Sequence, residues 1–167
     1  MKKIFKLRKL IKNQNLDAYI VPKNDEFFGE YAFPNRLKSI SNFSGSAGFA
    51  IITSALNYLF IDGRYLIQSK MESGKNFKIT EIPYKYPKNV LDVNKIKRIG
   101  YDPSVFTTNV LKRYFGNKFK LVPIKNNLID LISLEKKKEK KLFFLLENKA
   151  VGETVSSKIN RLNKIIG

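Results

Sequence analysis

A chain of 167 residues with 43% apolar and 28% charged side chains has enough hydrophobic material for one ordinary domain, and its aromatic and aliphatic residues are spread too evenly for a disordered segment. It has no cysteine and no histidine, which excludes disulfides, thiolate metal sites and the commonest general base and metal ligand. The net charge of +18 invites a nucleic-acid or acidic-membrane partner, but only six of the 32 basic residues are arginine and the lysines are scattered, so compositional drift is the preferred account.

Met1 to Lys12 is basic, with Ile4, Leu7, Leu10 and Ile11 on one helical face. It lacks the continuous apolar stretch of a signal peptide, and no segment approaches the ~20 apolar residues of a membrane span, so a cytoplasmic protein without a membrane partner is expected. Ala18 to Val21 reads as a buried strand closed by Pro22. Lys23 to Asn42 is irregular, with a short helix expected over Phe28 to Phe33 and stopped by Pro34. Ala47 to Thr53 and Tyr58 to Ile61 are two strands joined as a hairpin through Ser54 to Asn57. Asp62-Gly63 then opens a helix running to Ser73, with Gly74 as its stop. Phe77 to Ile82 alternates as a half-buried strand, and Pro83 to Asn94 is a connection. Arg98 to Asp102 is a short strand; Thr107 or Thr108 caps a helix reaching Gly116; Phe119 to Ile124 is the last strand and Leu128 to Leu134 a short helix. The run Glu135 to Lys141 reads as a solvated linker. Thr154 opens a helix whose stripe is Val155, Ile159, Leu162 and Ile166. Alternating helix and strand predict an α/β fold, a mixed sheet with helices on both faces.

No complete catalytic set is legible. A serine triad lacks its base, and the acids Asp17, Asp25, Glu26, Glu30, Asp62, Asp92 and Asp102 share no metal-binding spacing. Gly45-Ser46-Ala47-Gly48 lacks the Lys-Ser/Thr ending of a phosphate loop and reads as a tight turn. Asp62-Gly63-Arg64-Tyr65 stands where a strand becomes a helix. Asp62 suits the N-cap; Arg64 sits in a first turn that disfavours cations, and either pairs with Asp62 or reaches outward to an anion or carbonyl.

Several segments in order are similar to one family: Leu16 to Pro22, Asp25, Glu30-Tyr31, Arg36-Leu37, Ile40 to Ile52, Asp62-Gly63-Arg64-Tyr65, Gln68, Gly100 to Pro103 and Asn127 to Asp130. Together they resemble the first domain of a cytosolic-type Xaa-Pro aminopeptidase (aminopeptidase P) of the creatinase and prolidase superfamily. The resemblance implies a mixed β-sheet flanked by helices that helps to frame a substrate entrance and subunit contacts. It implies two manganese ions in a catalytic domain beyond this chain, and no catalytic or metal-binding residue within it. It implies substrate binding by Arg64, with Asp62, Gly63 and Tyr65 as its supporting loop. The expected domains are 1–134, a linker over 135–149, and over 150–167 the first helix of a truncated second domain. The implied partners are the catalytic domain of the same polypeptide or gene, a peptide with proline at its second position, and a second copy in a homodimer. The chain alone is expected to be inactive. The alternatives are a free-standing protein-binding module and a lysine-rich nucleic-acid-binding domain.

Overall fold

The computed structural model describes residues 2–29, 32–133 and 146–166. The hairpin signal is the seed of the architecture. β2 (Gly48–Thr53) and β3 (Asn57–Asp62) pair antiparallel, and the Thr53 hydroxyl closes the turn by accepting from the Leu56 amide at 2.8 Å. β1 (Ala18–Pro22) pairs antiparallel with β2 on the other side. The remaining strands all join parallel: β4 (Lys78–Ile82) on β3, β5 (Arg98–Tyr101) on β1, and β6 (Lys120–Pro123) on β5. The order is β4-β3-β2-β1-β5-β6. β2 alone runs against the other five, whose carboxyl ends therefore share one edge of the sheet.

Side-chain alternation splits the core into two layers. Tyr19, Val21, Ala50, Ile52, Leu59 and Ile61 face one side, where α1 (Lys2–Asn13) contributes Ile4, Leu7 and Ile11 and α2 (Arg36–Ser41) contributes Leu37 and Ile40. Ala18, Ile20, Phe49, Ile51, Tyr58 and Phe60 face the other, covered by Leu111 and Phe115 of α5 (Thr108–Phe115) and by Leu91 after the short α4 (Pro87–Val90). α3 (Leu66–Ser73) lies on the first side, with Leu66 against that core. Burial on both faces explains why β1, β2 and β3 read as near-continuous apolar runs. The expected mixed α/β sheet with helices on both faces is the one found.

Two expected helices are replaced by turns. At Phe28 the backbone is left-handed (φ 58°), and the Asp25 carboxylate accepts from the amides of Phe27 (3.1 Å) and Gly29 (2.9 Å), which holds a tight turn. Residues 32 and 33 are not helical, and Glu30-Tyr31 lies outside the described residues. The helix forms later, as α2, because Asn35 caps it by accepting from the Lys38 amide at 3.0 Å. Over Leu128 to Ser133 there are successive turns, with Leu134 outside the described residues. There the Leu128 amide donates to the Tyr19 hydroxyl (3.3 Å) and the Ile129 amide to its neighbour Asn127 (3.0 Å), a local pairing that competes with a helix. Gly74 follows α3 with ordinary helical backbone (φ −57°) rather than a left-handed stop.

The chain divides into two units, Met1–Glu135 and Lys136–Gly167. The charged run Glu135 to Lys141 lies outside the described residues. The second unit holds the short α6 (Asn148–Val151) and α7 (Val155–Ile166). Thr154 caps α7 by accepting from the Ser157 amide at 3.2 Å, and Arg161 pairs with Glu153 at 2.8 Å.

Leu59 is fully buried within β3, whereas Phe27 is 84% exposed. Leu59→Ala is expected to cost about 2–5 kcal/mol of unfolding free energy and Phe27→Ala less than about 0.5, read from urea midpoints at unchanged slope.

Candidate functional site

The four residues that stand out in the sequence sit where β3 leaves the sheet. Burial of Leu59, Phe60 and Ile61 fixes the register of the strand, so Asp62 emerges at its carboxyl end in extended backbone (φ −71°, ψ 143°). A single turn of 3₁₀ helix, Gly63–Tyr65, follows and runs into α3. Asp62 caps that turn by accepting from the Arg64 amide at 3.0 Å. The same carboxylate accepts from Arg64 Nε at 2.9 Å and, more loosely, from Nη2 at 3.3 Å. The Arg64 guanidinium thus pairs with the carboxylate two residues before it, while its side chain stays 73% exposed. It also lies 5.6 Å from the centre of the Tyr65 ring, within range of a cation–π contact.

Tyr65 ties this turn to the glycine-rich segment before β2. Its hydroxyl and that of Ser46 share a hydrogen bond of 2.8 Å, and its ring meets Phe43 edge-on at 5.7 Å. A β-carbon on Gly45 would run into the Phe43 ring and approach Tyr65 Cδ1 to 2.9 Å, so this close approach is what requires glycine there. Gly48 is required for a second reason: its φ is +153°, and a β-carbon would lie 2.8 Å from the Phe60 carbonyl. Gly63 opens the turn beside the Glu81 side chain.

A polar network, not evident from the sequence, clamps the same two segments together. Glu72 accepts from the Ser44 amide (2.8 Å), the Ser44 hydroxyl (2.7 Å) and the Gln68 amide (3.1 Å), and Gln68 also donates to the Ser44 hydroxyl (2.8 Å). Burial pushes the Glu72 carboxyl up, but the bonds from Ser44 and Gln68 outweigh it and hold the group below its ordinary value. The spacing of Gln68 and Glu72, four apart on one helix, is the signal that could have found half of it.

At the sheet edge shared by the carboxyl ends, beside those of β1, β3 and β4, lies a groove of about 430 Å³ whose walls include Lys23, Ser46, Asp62, Tyr86, Arg113 and Tyr114. One wall is an aromatic shelf, with Tyr114 stacked on Phe49 at 4.7 Å and Tyr86 beside Tyr114 at 5.8 Å. Of the four predicted residues Asp62 lines this groove; Gly63, Arg64 and Tyr65 do not.

Three of the other acids are engaged by hydrogen bonds. Asp17 accepts from the amides of Lys97 and Arg98, Asp92 from Asn94, and Asp102 from Ser104 and Asn127. Among the described residues no three acidic, histidine or cysteine side chains converge as a metal ion would require, so these residues do not fit a hydrolytic metal pair.

The pattern of the creatinase/prolidase N-terminal domain matches residues 3–132. The chain belongs to this family. It is 31% identical to a probable Xaa-Pro aminopeptidase P of Coprinopsis cinerea, in an alignment covering 99% of this chain and 29% of that protein. It is 32% identical to Xaa-Pro aminopeptidase 1 of Dictyostelium discoideum, over 98% of this chain and 29% of the relative. Among solved structures, X-prolyl aminopeptidase from Caenorhabditis elegans, described as a cytosolic enzyme with a di-nuclear active site, superposes with a TM-score of 0.67 at 25% identity, over 99% of this chain and 30% of that one. The N-terminal domain of the cytoplasmic peptidase PepQ from Mycobacterium tuberculosis shares the fold, with a TM-score of 0.62 at 19% identity over 79% of this chain and 98% of that one. The chain thus spans about 30% of the length of these aminopeptidases and corresponds to their N-terminal domain. Among the described residues no helix is long and apolar enough to cross a membrane.

The Arg64 hydrogen bond holds the Asp62 carboxyl below the usual carboxylate range. Because the folded value is depressed, the stabilisation is present above the unfolded pKa and is lost as pH falls through the folded one. A carboxyl-carbon NMR titration is expected to place the Asp62 midpoint below the ordinary value of about 3.9, and Arg64→Ala to return it towards that value.

Proposed function

We propose that this chain serves as the non-catalytic N-terminal domain of a Xaa-Pro aminopeptidase, framing the substrate entrance and contributing to subunit contacts, with the hydrolytic metal pair held by a catalytic domain elsewhere in the assembly. The observation that carries this reading is the near-complete alignment of the chain with less than a third of its aminopeptidase relatives. The dispersal of the acids among the described residues agrees, since no three of them converge. The metal ions are manganese, the substrate is a peptide with proline at its second position, the working assembly is a homodimer, and the protein acts in the cytoplasm. The domain boundaries follow the same reading: 1–134 is the N-terminal domain, 135–149 a linker and 150–167 the opening of the next domain.

In this reading Arg64 is the substrate-binding residue and Asp62, Gly63 and Tyr65 are its supporting loop. Its exposure leaves the guanidinium accessible to a ligand carboxylate or carbonyl. The Asp62 carboxylate orients the fork, and the Tyr65–Ser46 bond fixes the base from which it projects.

The test is a chimaera in which this chain replaces the matched N-terminal stretch of the Dictyostelium enzyme. With manganese it is expected to release the first residue of an Xaa-Pro peptide. Arg64→Ala should lower kcat/KM about ten- to hundredfold, with partial recovery in Arg64→Lys. An unchanged kcat/KM would remove Arg64 from the site.

A further inference from the structure

α3 is inside out. A surface helix ordinarily turns its apolar side chains to the core and its polar ones to water. Here Ser69 and Ser73 are buried, at 0% and 2% exposure, while Ile67 and Met71 are 77% and 83% exposed. The inward serines are fully accommodated: Ser69 donates to the Leu66 carbonyl at 3.0 Å and Ser73 to the Ser41 carbonyl at 2.8 Å, which lets α3 lie close against the end of α2. Nothing in the folding of the domain requires isoleucine and methionine on the far side. Ile67 and Met71, four residues apart, form one outward stripe that continues back to Arg64.

The rim of that stripe is net positive, three cations against two carboxylates. Lys70 and Lys75 are exposed beside it, and Arg64 begins it. The two carboxylates on the same segment are already engaged, Asp62 by Arg64 and Glu72 by Ser44 and Gln68. Opposing a second copy of this face would set these cations against themselves, in a chain that already carries +18. The complementary partner has an apolar centre and an acidic border.

We infer that the outward face of α3, with Ile67 and Met71 as anchors and Lys70 and Lys75 at the rim, docks onto an acidic, apolar-centred surface of the catalytic domain. This rests on the proposed function, and the experiment separates the two. The chain has no cysteine, so Met71→Cys gives a single thiol, and Phe5→Cys on the outer face of α1 gives an exposed control. Alkylation rates are compared, by peptide mapping, in the chain alone and in the Dictyostelium chimaera. The Met71→Cys thiol is expected to react at least about tenfold more slowly in the chimaera while the Phe5→Cys thiol keeps its rate. Adding Lys70→Glu and Lys75→Glu should restore at least about a third of the lost rate. Equal rates at the Met71→Cys position in a chimaera that hydrolyses Xaa-Pro peptide overturn the docking face and leave the function standing. A chimaera with no activity removes the functional reading and this inference with it. Slowing that grows with the concentration of the chain alone identifies a second copy as the occupant, and overturns the assignment, as does indifference to the charge reversals.

Discussion

The structure depends on the two-sided burial of the central strands. β1, β2 and β3 present Tyr19, Ile52 and Leu59 to one helical layer and Ile20, Ile51 and Phe60 to the other. A slip of one residue would exchange the two sets, and neither helical layer would accept the exchange. That double lock fixes where β3 stops, and hence where Asp62 caps the turn that carries Arg64 and Tyr65. A half-solvated sheet would have specified the register more weakly. The site at the edge is thus an outcome of the core beneath it.

The topology concentrates chemistry at one end. Five strands share a direction, so their following loops all open on the same edge. In open α/β sheets that edge is where ligands gather. The groove, the aromatic shelf of Phe49, Tyr114 and Tyr86, and the Asp62 rim are all found there. The paired segments before β2 and after β3 are held by Tyr65 with Ser46 and by Glu72 with Ser44, so the loop bearing Arg64 is braced from both sides.

Much of this was legible in the sequence because it rests on local patterns. The hairpin at Ser54 to Asn57, the Asp62 cap and the Thr107 cap are each written in a few adjacent residues. The turn at Phe28 was missed because a single Asp25 carboxylate, reaching forward to Phe27 and Gly29, decides it against helix propensity. The turns after Asn127 depend on Tyr19, more than a hundred residues earlier, and no window of sequence contains both. The Ser44–Glu72 clamp is long-range in the same way, as is the groove, whose walls come from five separate segments. The orientation of α3 is not legible in the sequence because nothing local shows that Ser69 and Ser73, rather than Ile67 and Met71, face inward. The side chain of Arg64 shows both halves of the lesson: the sequence left pairing and outward reach as alternatives, and the structure combines an ion pair with high exposure.

The proposed function assigns the hydrolytic chemistry to another domain. The most direct measurement is the release of the N-terminal residue from an Xaa-Pro peptide by the purified 167-residue chain, assayed with added manganese. No release above the uncatalysed rate is the result this account predicts. Turnover that rises with manganese and saturates with peptide would contradict it, because these residues would then hold a working metal centre of their own.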